Sequence, residues 1–338
     1  MLVYKITDYA ALTGAAADTA ADVLEIIDVS DTTMDPTGTN KKITLDEIEA
    51  AITKAGLDLP VVAASAPAAG FTRLFAKSSG GRAMPAFIGP SGVDSKLQPH
   101  LGANRMRQWV PLCGSTTALV YGCTAPTATG TATAATKATT NLHQFVERVD
   151  YLVTTAATTA VAGFRTSSGT AAGLSIYRGN AAKIGGFHYV VRWGPATGVT
   201  TSTRRAFVGL QASTAAPTDV QPSSLLNIIG MGWDAADTNV QIMHNDGTGT
   251  ATKVDCGFAR ASADRTSIYE LELFAAPNAS SVGWKVTELA TDSTASGTIT
   301  TDLVANTTAI YPIGYASVGG TSSVVGISLM GMYVETDY

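Results

Sequence analysis

Glu270-Leu-Glu272 is the pair of side chains in this sequence best placed to do chemistry. In a strand, residues i and i+2 point to the same face, about 6.5–7 Å apart. Glycosidases use paired carboxylates at about 5–5.5 Å when they retain configuration and about 6.5–9.5 Å when they invert it. The alternating partners are Tyr269, Leu271 and Leu273. A strand with one face in a core and two glutamates facing water gives the same pattern, and no aromatic-rich cleft with a third acid is apparent nearby. The sequence favours that plainer reading. Trp233 with Asp234 and Asp237 is the second candidate, a ligand-binding one. The indole could stack on a sugar while the acids hydrogen-bond its hydroxyls. A core tryptophan beside turn aspartates is the alternative, and it is favoured.

Other chemistries lack their residues. The histidines are His100, His143, His188 and His244, and no two share a metal-ligand spacing such as His-x3-His. No Gly-x-Ser-x-Gly elbow marks a serine nucleophile. The stretch 239–250 contains Asn245-Asp246-Gly247 but lacks the regular acidic spacing of a calcium loop. No glycine loop of a nucleotide site follows a strand. No metal, no cofactor and no catalytic residue is therefore expected. Cys113, Cys123 and Cys256 are an odd set without Cys-x-x-Cys spacing, which predicts free buried thiols in a reducing compartment.

The chain has 338 residues, 45% hydrophobic and only 14% charged, with a net charge of −5. The charged fraction falls well below the roughly 25% of ordinary globular proteins. Ala, Thr, Ser and Gly fill the difference, a surface suited to extended β-structure and close chain-to-chain contact. The basic spots Lys41/Lys42, Arg105/Arg107 and Arg204/Arg205 are too short to form a phosphate-binding face, so no nucleic acid is expected. The first eight residues carry charges and no apolar run, so no signal peptide is expected there. The charge-free stretches 108–136 and 303–334 are broken by Pro and Gly, which argues against membrane insertion.

Three regions would carry these residues. Residues 1–60 predict a small α+β segment. Val23-Leu-Glu-Ile-Ile-Asp-Val29 reads as a strand, 30–42 as turns, and Thr44 with Glu47 as the capping box of a helix carrying Leu45, Ile48 and Ile52 and stopping at Gly56. Residues 61–140 read as an irregular connector and oligomerisation region. It is broken by Gly80, Gly81, Pro85, Gly89 and Pro90, has short strands at Trp109–Leu112 and Ala118–Tyr121, and ends in an extended Thr/Ala tract. Residues 141–338 show period-2 strands between turn residues. Phe187, Tyr189, Val191 and Trp193 share one face, and Ala206–Gln211, Val240–His244, Tyr269–Phe274, Val282–Val286 and 323–334 follow. The fold class expected is mainly β, with a C-terminal antiparallel β-sandwich of jelly-roll type.

The stretch Ile26-Ile-Asp-Val-Ser30 followed by Lys41-Lys-Ile-Thr-Leu-Asp-Glu-Ile48 resembles the N-terminal region of phage tail-fibre and related appendage proteins. Leu74-Phe-Ala-Lys-Ser-Ser-Gly-Gly-Arg-Ala-Met-Pro85, with Gly89-Pro-Ser-Gly92 and Leu97-Gln-Pro99, resembles a recurrent segment of phage structural proteins. The β-rich C-terminal part is similar to their distal jelly rolls. The resemblance implies a non-enzymatic virion component assembled in the bacterial cytoplasm. It implies a homotrimer, docked on other virion proteins by residues 1–60 and presenting the sandwich to a host-surface polysaccharide or protein. Tail, head–tail junction and capsid all stay open as the mount. A capsid decoration protein or head fibre without a receptor role is the first alternative, and a polysaccharide depolymerase using Glu270 and Glu272 is the second.

Overall fold

The computed structural model describes residues 23–28, 39–44, 59, 61–62, 65–69, 71–88, 94–96, 105–166, 175–181, 184–198 and 202–337. The chain divides into two units at residue 60. Strands are numbered in chain order. In the first unit β1 (Val23–Asp28) pairs antiparallel with β2 (Thr39–Thr44), Val23 opposite Thr44. Of the strand expected at 23–29, residues 23–28 are described and form it. The expected turn-rich stretch stops short, because 39–44 forms the second arm of a hairpin. In register, Lys41 pairs with Ile26 and Lys42 with Glu25. The capped helix expected after Thr44 lies outside the described residues.

The second unit is an antiparallel β-sandwich. Its first sheet runs β19 (Ser293–Ile299), β18 (Val282–Glu288), β17 (Tyr269–Ala275), β12 (Gly185–Thr197), β21 (Ser323–Asp337), β10 (Val149–Ala157), β9 (Thr131–Ala134). The long β21 also pairs with β6 (Arg105–Pro111), which pairs with β7 (Ala118–Tyr121). The second sheet runs β16 (Thr252–Ala259), β15 (Asn239–Asn245), β14 (Ile228–Trp233), β13 (Arg205–Gln211), β20 (Tyr311–Ser317), β11 (Val161–Arg165), β8 (Thr127–Thr129). Residues 105–134, read from sequence as connector, thus supply edge strands to both sheets, and Trp109 is buried in the common core. The Thr/Ala tract is extended, but as two paired strands, because neighbouring strands distant in sequence satisfy its backbone.

Period-2 alternation decides what lies between the sheets. Phe187, Tyr189, Val191 and Trp193 of β12 point inward, as do Tyr269, Leu271 and Leu273 of β17. They meet Val208, Leu210, Met231 and Trp233 from the second sheet. Trp193 stacks on Trp233 with ring centroids 5.6 Å apart, and its indole N–H points at the Met231 sulfur 3.3 Å away. Tyr269 completes this aromatic cluster, 5.3 Å from Trp193. Rings of this size dominate the burial term of a core.

The first sheet's outer face is not bare. A hairpin of β3 (Arg73–Ser79) and β4 (Arg82–Ile88), extended by β5 (Asp94–Lys96), lies on β17 and β18. Its turn is Gly80-Gly81, with φ of 56° and 88°, the all-positive geometry of a two-residue hairpin that glycine adopts without strain. The approach is tight: a Cβ on Gly80 would lie 3.2 Å from the Glu272 carbonyl oxygen. The same glycines read from sequence only as a break. A four-residue helix α1 (Leu142–Phe145), capped by the Asn141 side chain accepting from the Gln144 N–H at 3.0 Å, buries His143. Among the described residues no helix is long and apolar enough to cross a membrane.

Candidate functional site

The two carboxylates singled out from sequence have separate fates. Both project from the outer face of β17, as the alternation requires. Glu270 is partly exposed and receives the Arg192 Nε–H at 2.6 Å from the neighbouring β12. Glu272 is 1% exposed. The expectation that both face water therefore fails for Glu272, because the β3–β4 hairpin covers it. Ser79, at the end of β3, donates its hydroxyl to Glu272 Oε2, and Lys285 approaches Oε1 at 3.3 Å.

His188 and Glu335 join the same buried network. Ser79 Oγ lies 3.3 Å from His188 Nε2. Arg82 Nη1 stands 3.5 Å from His188 Nδ1, and the same guanidinium holds Glu335 bidentately at 2.5 and 3.0 Å. Tyr333 also donates to Glu335 at 3.0 Å. A serine, a histidine and an acid in contact invite comparison with a nucleophile triad, but the order is wrong. In a triad the histidine sits between serine and acid and takes the serine proton. Here Ser79 sits between His188 and Glu272. The Ser79 hydroxyl donates to Glu272 rather than to a histidine placed between them. Ser79 is also fully buried, so no substrate reaches it. The network is a clamp that fixes the hairpin to the sheet.

The tryptophan candidate is likewise internal. Trp233 is 1% exposed within the aromatic cluster and offers no face to a sugar. Asp234 accepts from the Ser223 N–H at 3.0 Å, and Asp237 accepts from the Asp234 N–H at 2.8 Å. Lys253 bridges the two acids at 2.6 and 2.8 Å. These are turn-closing contacts. His244 is buried against Asp302, with Nδ1 2.9 Å from its carbonyl oxygen. His143 is buried with neither ring nitrogen hydrogen-bonded, and desolvation followed by the nearby Arg148 and Arg265 lowers its pKa to about 4. His100 lies outside the described residues. Among the described residues no three His, Cys, Asp or Glu side chains gather as a metal site. All three cysteines are free, but Cys113 is exposed, unlike the buried thiols expected. It sits in the loop after β6, outside either core face.

An open groove of about 440 Å³ lies at one end of the sandwich. Among the described residues, Tyr177 and Asn180 of 175–181 and Ile184 line it, with Asn306 and Thr307 from the loop before β20, Arg107 of β6 and Thr336 of β21. Tyr177 and Ile184 are 40% and 51% exposed, so the ring is open to a ligand. The buried Arg178, between the lining residues Tyr177 and Gly179, ties this segment to the loop before β20. Its guanidinium donates to the carbonyls of Val304 (2.9 and 2.6 Å) and Ala279 (2.7 Å) and to Asn306 Oδ1 (3.2 Å). Gly179, at φ 82°, lies close against Ile184 and Gly185, where a Cβ would overlap the Ile184 carbonyl oxygen. Arg107 reaches the Ser175 carbonyl only at 3.5 Å. Among the described residues no carboxylate lines this groove. Sequence reasoning missed it because its walls come from loops more than a hundred residues apart.

No family model matches the chain, and no curated protein matches it. Several solved structures align with the chain at low similarity. Lectin UEA-II complexed with galactose matches with a TM-score of 0.45 at 10% identity, over 69% of this chain and 99% of the lectin. Peanut lectin with a bound 9mer peptide matches at 0.43 and 9%, over 70% and 98%. Arcelin-5, a lectin-like defense protein from Phaseolus vulgaris, matches at 0.43 and 6%, over 70% and 100%. The likeness is one of β-sandwich architecture.

Proposed function

We propose that this chain is a non-enzymatic structural and attachment protein, an appendage subunit of a phage particle whose sandwich faces the host cell. One observation carries the non-enzymatic part. Ser79, His188, Glu272 and Glu335 are each spent inside a buried clamp, while the described lining of the open groove holds no acid, base or nucleophile pair. A depolymerase needs two carboxylates reachable by a sugar, and Glu272 is under a hairpin. The virion part rests on the resemblance of 26–48 and 74–99 to phage appendage segments.

Self-association is part of the proposal. Leu119, Val120 and Tyr121 of β7 are 62%, 45% and 62% exposed, and among the described residues β7 pairs only with β6. No charged residue lies between Gln108 and Thr136 to guard this edge. Unprotected apolar edge strands invite another chain. A homotrimer joined through this region, with residues 1–60 on the particle, fits the composition. The test is to image the particle and to measure adsorption of the labelled chain to host cells. Density at a fibre position with saturable adsorption is expected. Density spread over capsomers without adsorption would replace this reading with a capsid decoration role.

A further inference from the structure

We infer that the groove beside Tyr177 is a saccharide subsite that binds one or two pyranose rings of a surface glycan. The inference deepens the attachment reading and rests on it. A pyranose has an apolar C–H face and a rim of hydroxyls, so it needs an exposed aromatic ring next to groups that both donate and accept. Tyr177 supplies the ring, 40% exposed on the groove wall. Asn180 and Thr307 supply the rim. Among the described residues their side chains have no hydrogen-bond partner, and an amide and a hydroxyl can each donate to one sugar hydroxyl and accept from another. A volume of about 440 Å³ lies in the range of small-ligand sites and accommodates about one or two sugar rings.

The groove is also built before any ligand arrives. Arg178 pins the carbonyls of Val304 and Ala279 together with Asn306, and Asn306 in turn donates to Asn278 Oδ1 at 3.0 Å. A ligand therefore orders little of the protein on binding, which preserves affinity for small, weakly held sugars. Charge points the same way. Among the described residues the lining holds one cation, Arg107, and no anion, so neither a basic peptide nor a metal-bridged ligand is served. A neutral or uronic sugar meets no repulsion.

The test uses the full chain, fluorescently labelled, and host cells that are untreated, periodate-oxidised or protease-treated. Adsorption of the wild type should survive protease and be abolished by periodate, which cleaves vicinal diols. Tyr177→Ala should weaken adsorption at least tenfold and Asn180→Ala severalfold, while Tyr177→Phe, which keeps the ring face, should stay near wild type. Circular dichroism checks folding, and Asn180→Ala carries the test if Tyr177→Ala is misfolded. Equal adsorption by wild type and both alanine variants overturns the subsite and leaves the attachment reading standing. Loss on protease but not on periodate also overturns it, in favour of a protein receptor elsewhere on the surface. A wild type that adsorbs to no host cell overturns the attachment reading and the subsite together.

Discussion

His143 sits fully buried on α1 with no hydrogen bond to either ring nitrogen, beside the Arg148–Asp150–Arg265 cluster. Desolvation, then Arg148 and Arg265, lower its pKa to about 4, with Asp150 opposing them. An unfolded chain titrates this ring near its ordinary value of about 6.5. Between those two values the unfolded state binds a proton that the native state refuses, so stability falls as pH falls. The ring contributes no penalty above about pH 6.5. At about pH 5 it costs about 2 kcal/mol, and below about pH 4 the loss levels off near about 3 kcal/mol, each tenfold difference in proton affinity being worth about 1.36 kcal/mol. The perturbation is His143→Leu, which cannot titrate. Urea unfolding of both proteins at about pH 8 and about pH 5 reads the effect through the difference in midpoints at a common slope. Wild type should lose about 2 kcal/mol more than the variant over that interval. Contributions from the remaining histidines occur in both proteins and cancel where they are distant. Parallel pH profiles for the two proteins would refute the assignment.

The clamp predicts that Ser79→Ala destabilises the sandwich by about 1–3 kcal/mol, since it leaves Glu272 short of a donor in a buried site. Hydrogen exchange should show the lost protection concentrated in β3 and β4, and unchanged exchange there would count against the clamp. Glu272→Gln should leave adsorption to cells and integrity of their capsule unaffected. Loss of polysaccharide cleavage by a folded variant would revive the depolymerase reading. Trp233→Ala should cost about 3–5 kcal/mol through the cavity left between Trp193 and Tyr269. Thermal unfolding measures that loss, and a folded variant deficient only in ligand binding would contradict its core placement. Val120→Lys should lower the mass measured by light scattering from oligomer towards monomer without loss of strand signal, and an unchanged mass would remove β7 from the contact between chains.

What the sequence disclosed was local, and what it hid was non-local. The inward face of β12 and the alternation of β17 follow from side chains two residues apart, so Phe187, Trp193, Tyr269 and Leu273 were legible as core. The same alternation put Glu272 on the outer face correctly. Whether that face meets water is decided by Ser79, 193 residues upstream, and no period records it. The Ser79-Gly80-Gly81-Arg82 turn was readable in principle as a two-residue hairpin signal. The groove was not, because Arg178 becomes a keystone only when Asn306, 128 residues away, folds onto it. The Thr/Ala tract shows the same limit: its extension was legible from threonine, its partners β10 and β11 were not.

The placement of β21 has a consequence for how the chain is made. This 15-residue strand lies in the middle of the first sheet, with β12 along one side and β10 and β6 along the other. A ribosome that has synthesised every residue up to 322 has therefore produced two half-sheets with open inner edges and no strand to join them. Such edges are the surfaces on which nascent chains stick to one another. Closure of the sandwich must wait for residues 323–337 and is slow, as expected for pairings this distant in sequence. Any truncation that removes this strand opens the sheet at its centre, where trimming β19 or β9 would only narrow it. A reporter or tag is accordingly better inserted in the exposed 246–250 turn than within 323–337.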